Sequence, residues 1–156
     1  MGIGLPFQQR RIIIKPTPFE LLREFHETYG AAIDQPFTED LIDLRMNLIS
    51  EESREVEEEI DKAFPLGEQH LGYYEYLPFN PSLIDKKALT KELADLMYVT
   101  IGFATTFGLP LEEVFYEVHK SNMSKLGPDG EVLRREDGKI LKGINYKEPD
   151  LDQFFS

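Results

Sequence analysis

The sequence predicts an all-α fold, an antiparallel four-helix bundle followed by a short C-terminal β-hairpin. Apolar residues recur at helical spacing in four separate stretches, while the prolines and the turn-forming Gly30, Gly67 and Gly108 fall between them. A strand–turn–strand pattern appears only after the last of these stretches. At 156 residues, 41% of them hydrophobic, the chain is long enough for one well-filled core and too short for two.

Residues 1–17 read as an extended arm, because Pro6, Pro16 and Pro18 limit helix and Arg11 to Lys15 is a short strand-like run. Phe19, Leu22, Phe25 and Tyr29 then recur at helical period, and Gly30 stops the first helix; its aromatic stripe is expected in the core. Thr38, followed by Glu39 and Asp40, has the form of an N-cap with acids in the first turn, and opens a helix carried to about Ala63. Residues 64–83 hold Pro65, Gly67, Gly72, Pro78 and Pro81 among five aromatics, which predicts a long packed connection. The third helix runs from about Asp85 to Phe107, and Gly108 and Pro110 end it. Leu111, Val114, Phe115 and Val118 mark the fourth, reaching about Lys125. In the tail, EVLR and KILK flank an Asp137-Gly138 pair that favours a tight turn.

Composition narrows the chemistry. There is no cysteine, hence no disulfide framework and no thiolate metal or nucleophile site, and a cytoplasmic protein is expected. The N-terminal stretch has no apolar run of signal-peptide or membrane-spanning length, so no membrane association is expected. A formal charge of -12 argues against a broad grip on nucleic acid, which needs clustered Lys and Arg.

Five carboxylates, Glu51, Glu52, Glu55, Glu92 and Asp95, stand on two helical stretches where the apolar pattern calls for core residues. With Leu44 at zero and ~100° per residue, Leu48 and Leu41 lie at ~40° and ~60°, and Glu55, Glu59 and Glu52 fall at ~20°, ~60° and ~80°. Acids therefore continue an apolar stripe. On the third helix Ala88, Glu92, Asp95 and Val99 share one line, and Asp95 sits within the apolar run Leu93 to Phe107. Clustered buried carboxylates are costly unless neutralised, and an oxygen-only set without His favours magnesium or manganese. A ferritin-like di-iron site would need Glu-x-x-His, which is missing, as are an EF-hand loop, a P-loop and a dinucleotide fingerprint. Arg45, beside the stripe, is expected to pair with a carboxylate or to contact substrate.

The blocks LRMNLISEESREVEEEID, KELADLMYVTIGFATTFGL and VFYEVHKSNMSK resemble the MazG-like all-α nucleoside triphosphate pyrophosphohydrolases, with their Glu-Glu-x-x-Glu and Glu-x-x-Asp motifs, near the dimeric dUTPase and phosphoribosyl-ATP pyrophosphohydrolase branch. The resemblance divides the chain into an arm, 1–17, a helical catalytic domain, 18–126, and a hairpin and tail, 127–156. Because 36 residues separate Glu55 from Glu92, residues 64–87 count as an inserted connection. The resemblance implies that Glu52, Glu55, Glu92 and Asp95 ligate Mg2+ or Mn2+, two or more ions per site, and that Glu51 orients or deprotonates water. It also implies that Asn122 and Lys125 approach the phosphates, in preference to the plainer reading in which Lys120 and Lys125 merely complement the C-terminal end of a helix dipole. His26, His70 and His119 are expected to be surface or hydrogen-bonded and are assigned no role.

The activity implied is water attack at the α-phosphorus of a nucleoside triphosphate, giving the monophosphate and pyrophosphate, with dGTP, dUTP or dCTP as leading substrates. Alternatives are hydrolysis of a phosphoribosyl-ATP-like compound and a non-enzymatic acidic helical interaction protein. The third helix is apolar nearly all round, which, like the resemblance, implies a homodimer or a dimer of dimers.

Overall fold

Capping residues fix where the helices begin. In the computed structural model, which describes residues 15–70 and 73–155, helix α1 (Pro18–Tyr29) opens on a capping box. The Thr17 hydroxyl accepts from the Glu20 N–H at 3.2 Å, and the Glu20 carboxylate accepts from the Thr17 N–H at 2.7 Å. Helix α2 (Glu39–Asp61) starts on Thr38, as its sequence predicts. Helix α3 (Lys86–Phe107) starts on Asp85, whose carboxylate accepts from the N–H groups of Lys87 at 2.8 Å and Ala88 at 3.2 Å. It ends at Gly108, whose φ of 63° is the left-handed conformation glycine tolerates. Helix α4 (Leu111–Met123) follows a bend of 118°.

Helices α1 and α2 both pack on α3, and their crossing is floored by Gly102. The core there comprises Leu22, Ile101, Ala104 and Thr106. The α1–α2 connection clamps the end of α3: the N–H groups of Asp34 and Gln35 donate to the carbonyls of Thr105 and Thr106 at 3.1 and 2.8 Å, and Phe37 stacks on Phe107. No single helix among the described residues is long and apolar enough to cross a membrane.

Several expectations need correction. Four helices are present, as expected, and among the described residues the main helix packing is of α2 and of α1 on α3, while a bend of 118° sets off α4. It is held by the tail: Ser121 Oγ donates to the Lys147 carbonyl at 2.7 Å, and the Asp150 N–H donates to Glu117 at 3.2 Å. Between α2, α3 and α4 lies an apolar groove of about 350 Å³, lined by Met46, Ile49, Phe103, Leu111, Val114 and Phe155. On α1 the buried residues are Leu22 and His26, while Phe25 and Tyr29 stay exposed and pack on each other and, through Phe25, on Tyr98.

The connection after α2 contains an unforeseen antiparallel ribbon, β1 (Leu66–His70) with β2 (Tyr73–Tyr76), and a 3-10 turn at Pro81–Leu83. In the tail the expected hairpin reduces to a turn at Asp137-Gly138 with one isolated bridge, Arg134 to Ile140. The N-terminal arm lies outside the described residues except for residues 15–17.

Candidate metal centre

Two helices running antiparallel bring the motif acids together. Ligand oxygens of Glu52 and Glu55 on α2 and Glu92 on α3 all lie within 4.8 Å of one another. Asp95, one turn beyond Glu92, joins them through Lys91: the Lys91 ammonium donates to Glu92 Oε2 and Asp95 Oδ2, each at 2.8 Å, and stands 3.9 Å from Glu55 Oε2. Asp85 caps the start of α3 about two turns before Glu92.

The buried face of α2 is rotated relative to the expected stripe. Leu44 is half exposed, whereas Arg45, ~100° further round, is buried. Glu52 is therefore nearer the centre of the buried face than Glu55. Its Oε2 is buried and has no hydrogen-bond partner, and neither does Oε2 of Glu59, one turn past Glu55. Close carboxylates also perturb one another: sharing a hydrogen bond with Glu92, together with desolvation and the Glu52 and Glu92 charges, raises the Glu55 pKa against the opposing pull of Lys91. Hydrogen bonds to Asp95 and Glu92 hold the Lys91 ammonium protonated above the usual lysine range. A cation-seeking, all-oxygen pocket with an orphaned buried oxygen fits a hard divalent ion.

The other anticipated residues lie elsewhere. Glu51 is exposed on α2, outside the group of converging oxygens. Asn122 is exposed on α4, and Lys125 is half-buried just beyond it. Among the described residues neither is tied to the cluster by a hydrogen bond or ion pair, and α4 packs on α2 and α3 much less than those two pack on each other. The expected Arg45–carboxylate pair is absent as well: Arg45 is 9% exposed, its Nε has no partner, and no described carboxylate lies within ion-pair distance. Its neighbours are Gly102 and His26, whose Nδ1 donates to the Ala32 carbonyl at 2.8 Å. Burial, and then the Arg45 charge, hold the His26 pKa below its usual value despite that hydrogen bond.

Sequence reasoning missed Lys91. The available signal was its place four residues before Asp95, a spacing that puts opposite charges on one helical face.

A protein-family model described as phosphoribosyl-ATP pyrophosphohydrolase matches residues 20–122. That span covers most of α1, all of α2 and α3, and α4 to its last turn. No curated protein matches the chain.

Proposed function

The chain belongs to the phosphoribosyl-ATP pyrophosphohydrolase family, within the MazG-like pyrophosphohydrolases, and from that premise we propose a metal-dependent enzyme that splits a nucleoside triphosphate into the monophosphate and pyrophosphate. The observation that carries the reading is the convergence of Glu52, Glu55 and Glu92 within 4.8 Å, with one buried Glu52 oxygen left without a partner. Glu52, Glu55, Glu92 and Asp95 would hold Mg2+ or Mn2+. When bound, such ions supply charge neutralisation, Lewis acidity toward phosphoryl oxygens and a lowered water pKa.

The remaining work falls to side chains and solvent. Glu51, exposed beside Glu52, accepts a proton as water forms its bond to the α-phosphorus, and the bond from that phosphorus to the pyrophosphate oxygen breaks. No protein nucleophile takes part. Among the described residues Asn122 and Lys125 make no hydrogen bond or ion pair with the cluster, and in this reading they meet phosphates held by a second copy. Dimerisation is supported by the open apolar groove beside α4 and by Phe115 and Tyr116, 63% and 65% exposed on that helix. Sedimentation of the active protein as a monomer would contradict it.

Among substrates, dGTP, dUTP and dCTP lead. A second reading, hydrolysis of a phosphoribosyl-ATP-like compound at the same bond, is favoured by the description of the matching family. The test is a panel of all ribo- and deoxyribonucleoside triphosphates together with phosphoribosyl-ATP, in Mg2+ and in Mn2+, with products quantified. Monophosphate and pyrophosphate in equal amounts are expected. Orthophosphate as first product rules out the mechanism, and no turnover with any compound leaves the acidic interaction protein.

A further inference from the structure

Lys91 occupies ground that a divalent ion would need. Its ammonium sits 2.8 Å from Glu92 Oε2 and from Asp95 Oδ2, two of the four proposed ligands. An ion bound there approaches its oxygens more closely, at roughly 2.0–2.1 Å for Mg2+. The two cations cannot hold the same lone pairs together. The Glu92 carboxylate is largely buried, with a side chain 13% exposed, so its charge needs a counter-ion at all times. The Lys91 side chain, by contrast, is 62% exposed, and packing does not lock its flexible stem in place. One ammonium also leaves the job unfinished: it does not reach Glu52, whose Oε2 stays unpartnered.

We propose that Lys91 is an exchangeable counter-cation of the acidic cluster: its ammonium neutralises Glu92, Asp95 and Glu55 in the metal-free protein, leaves when a divalent ion enters, and then faces the phosphates of the substrate. The inference rests on the metal-site reading above and adds the residue that guards it. The geometry favours release because Lys91 neighbours Glu92 in the chain, so a swing of its stem takes the ammonium off the carboxylates while keeping it beside them. Phosphate oxygens brought to the site then replace the carboxylate oxygens as its acceptors.

The test follows the Lys91 ammonium by nitrogen-15 NMR in lysine-labelled protein, with its signal assigned by its loss in Lys91→Met. Thermal shift of the same samples reports metal saturation. Saturating Mg2+ should move the Lys91 signal to the position of solvent-exposed lysines, and K+ at matched ionic strength should not. Mg2+ should bind Lys91→Met roughly three- to tenfold more tightly than wild type, about what loss of competing exposed ion pairs is worth. Imidodiphosphate, a non-hydrolysable probe, should bind Mg2+-loaded Lys91→Met more weakly than wild type.

A Lys91 signal unmoved in Mg2+-saturated protein overturns the exchange, whatever the affinities. Equal Mg2+ affinity in the variant overturns it too, and equal imidodiphosphate affinity overturns the phosphate role. A melting temperature that ignores Mg2+ overturns the metal-site reading itself, and this inference with it.

Discussion

Replacing Arg45 with Met should stabilise the metal-free protein. Arg45 as a whole is 9% exposed where α1 and α2 meet α3, its Nε is buried without a partner, and no described carboxylate neutralises it. An unsatisfied buried donor costs about 1–3 kcal/mol. Burial already holds the Arg45 pKa below its usual value. Met has a similar helix propensity and an adaptable apolar side chain, and it removes the donor at the cost of the guanidinium contact beside Gly102. The expected gain is about 1–3 kcal/mol by urea unfolding. For a chain of this size it corresponds to a rise of roughly 2–12 °C in Tm, read at one fixed protein concentration because a dimer's stability depends on it. A loss of about 1 kcal/mol or more would mean instead that Arg45 has a partner in solution that the single chain does not supply.

Other perturbations separate local strain from site chemistry. Gly108→Ala should cost about 1–2 kcal/mol, since φ is +63° and the new Cβ would stand 3.0 Å from Asp34 Oδ1. Gly102→Ala, whose Cβ meets His26 Nε2 at 3.4 Å and Arg45 at 3.5 Å, is accommodated and should gain about 0.5–1 kcal/mol of helix propensity; unfolding curves of the pair check both signs. Glu52→Gln should raise metal-free stability by removing a buried orphan charge, yet abolish stabilisation by Mg2+. In wild type that stabilisation is about 2.7 kcal/mol at 100 times Kd, measured by thermal shift. His26, with its pKa held below the usual 6.5 by burial and Arg45, takes up a proton more readily in the unfolded chain. Stability is therefore full above pH 6.5 and should fall as pH drops from there toward the lowered folded-state pKa. His26→Gln should flatten this stretch of the urea-unfolding pH profile.

What the sequence disclosed was mostly local. Thr38 and Asp85 announce helix starts because a side-chain oxygen there satisfies free N–H groups, and Gly30 and Gly108 announce ends because both take a positive φ. The motif acids were legible for the same reason: spacing along two helices places them, and the antiparallel pairing of α2 and α3 brings three of them within 4.8 Å. Arg45 was not legible as a buried residue, since an arginine beside an acidic stripe looks solvated or paired until the rotation of α2 about α3 is known. The position of α4 escaped for a different reason. Its helical period is clear, but Phe115 and Tyr116 stay exposed, and among the described residues nothing covers them. The ribbon at Leu66–Tyr76 depends on pairing between two short segments of five and four residues, too brief to show strand periodicity against so many turn formers.

The most direct test of the central claim is where water's oxygen goes. Turnover of the best substrate in oxygen-18 water with Mg2+, followed by mass analysis of both products, locates the phosphorus attacked. Attack at the α-phosphorus predicts one labelled oxygen in the monophosphate and none in the pyrophosphate. Label in the pyrophosphate would contradict the account.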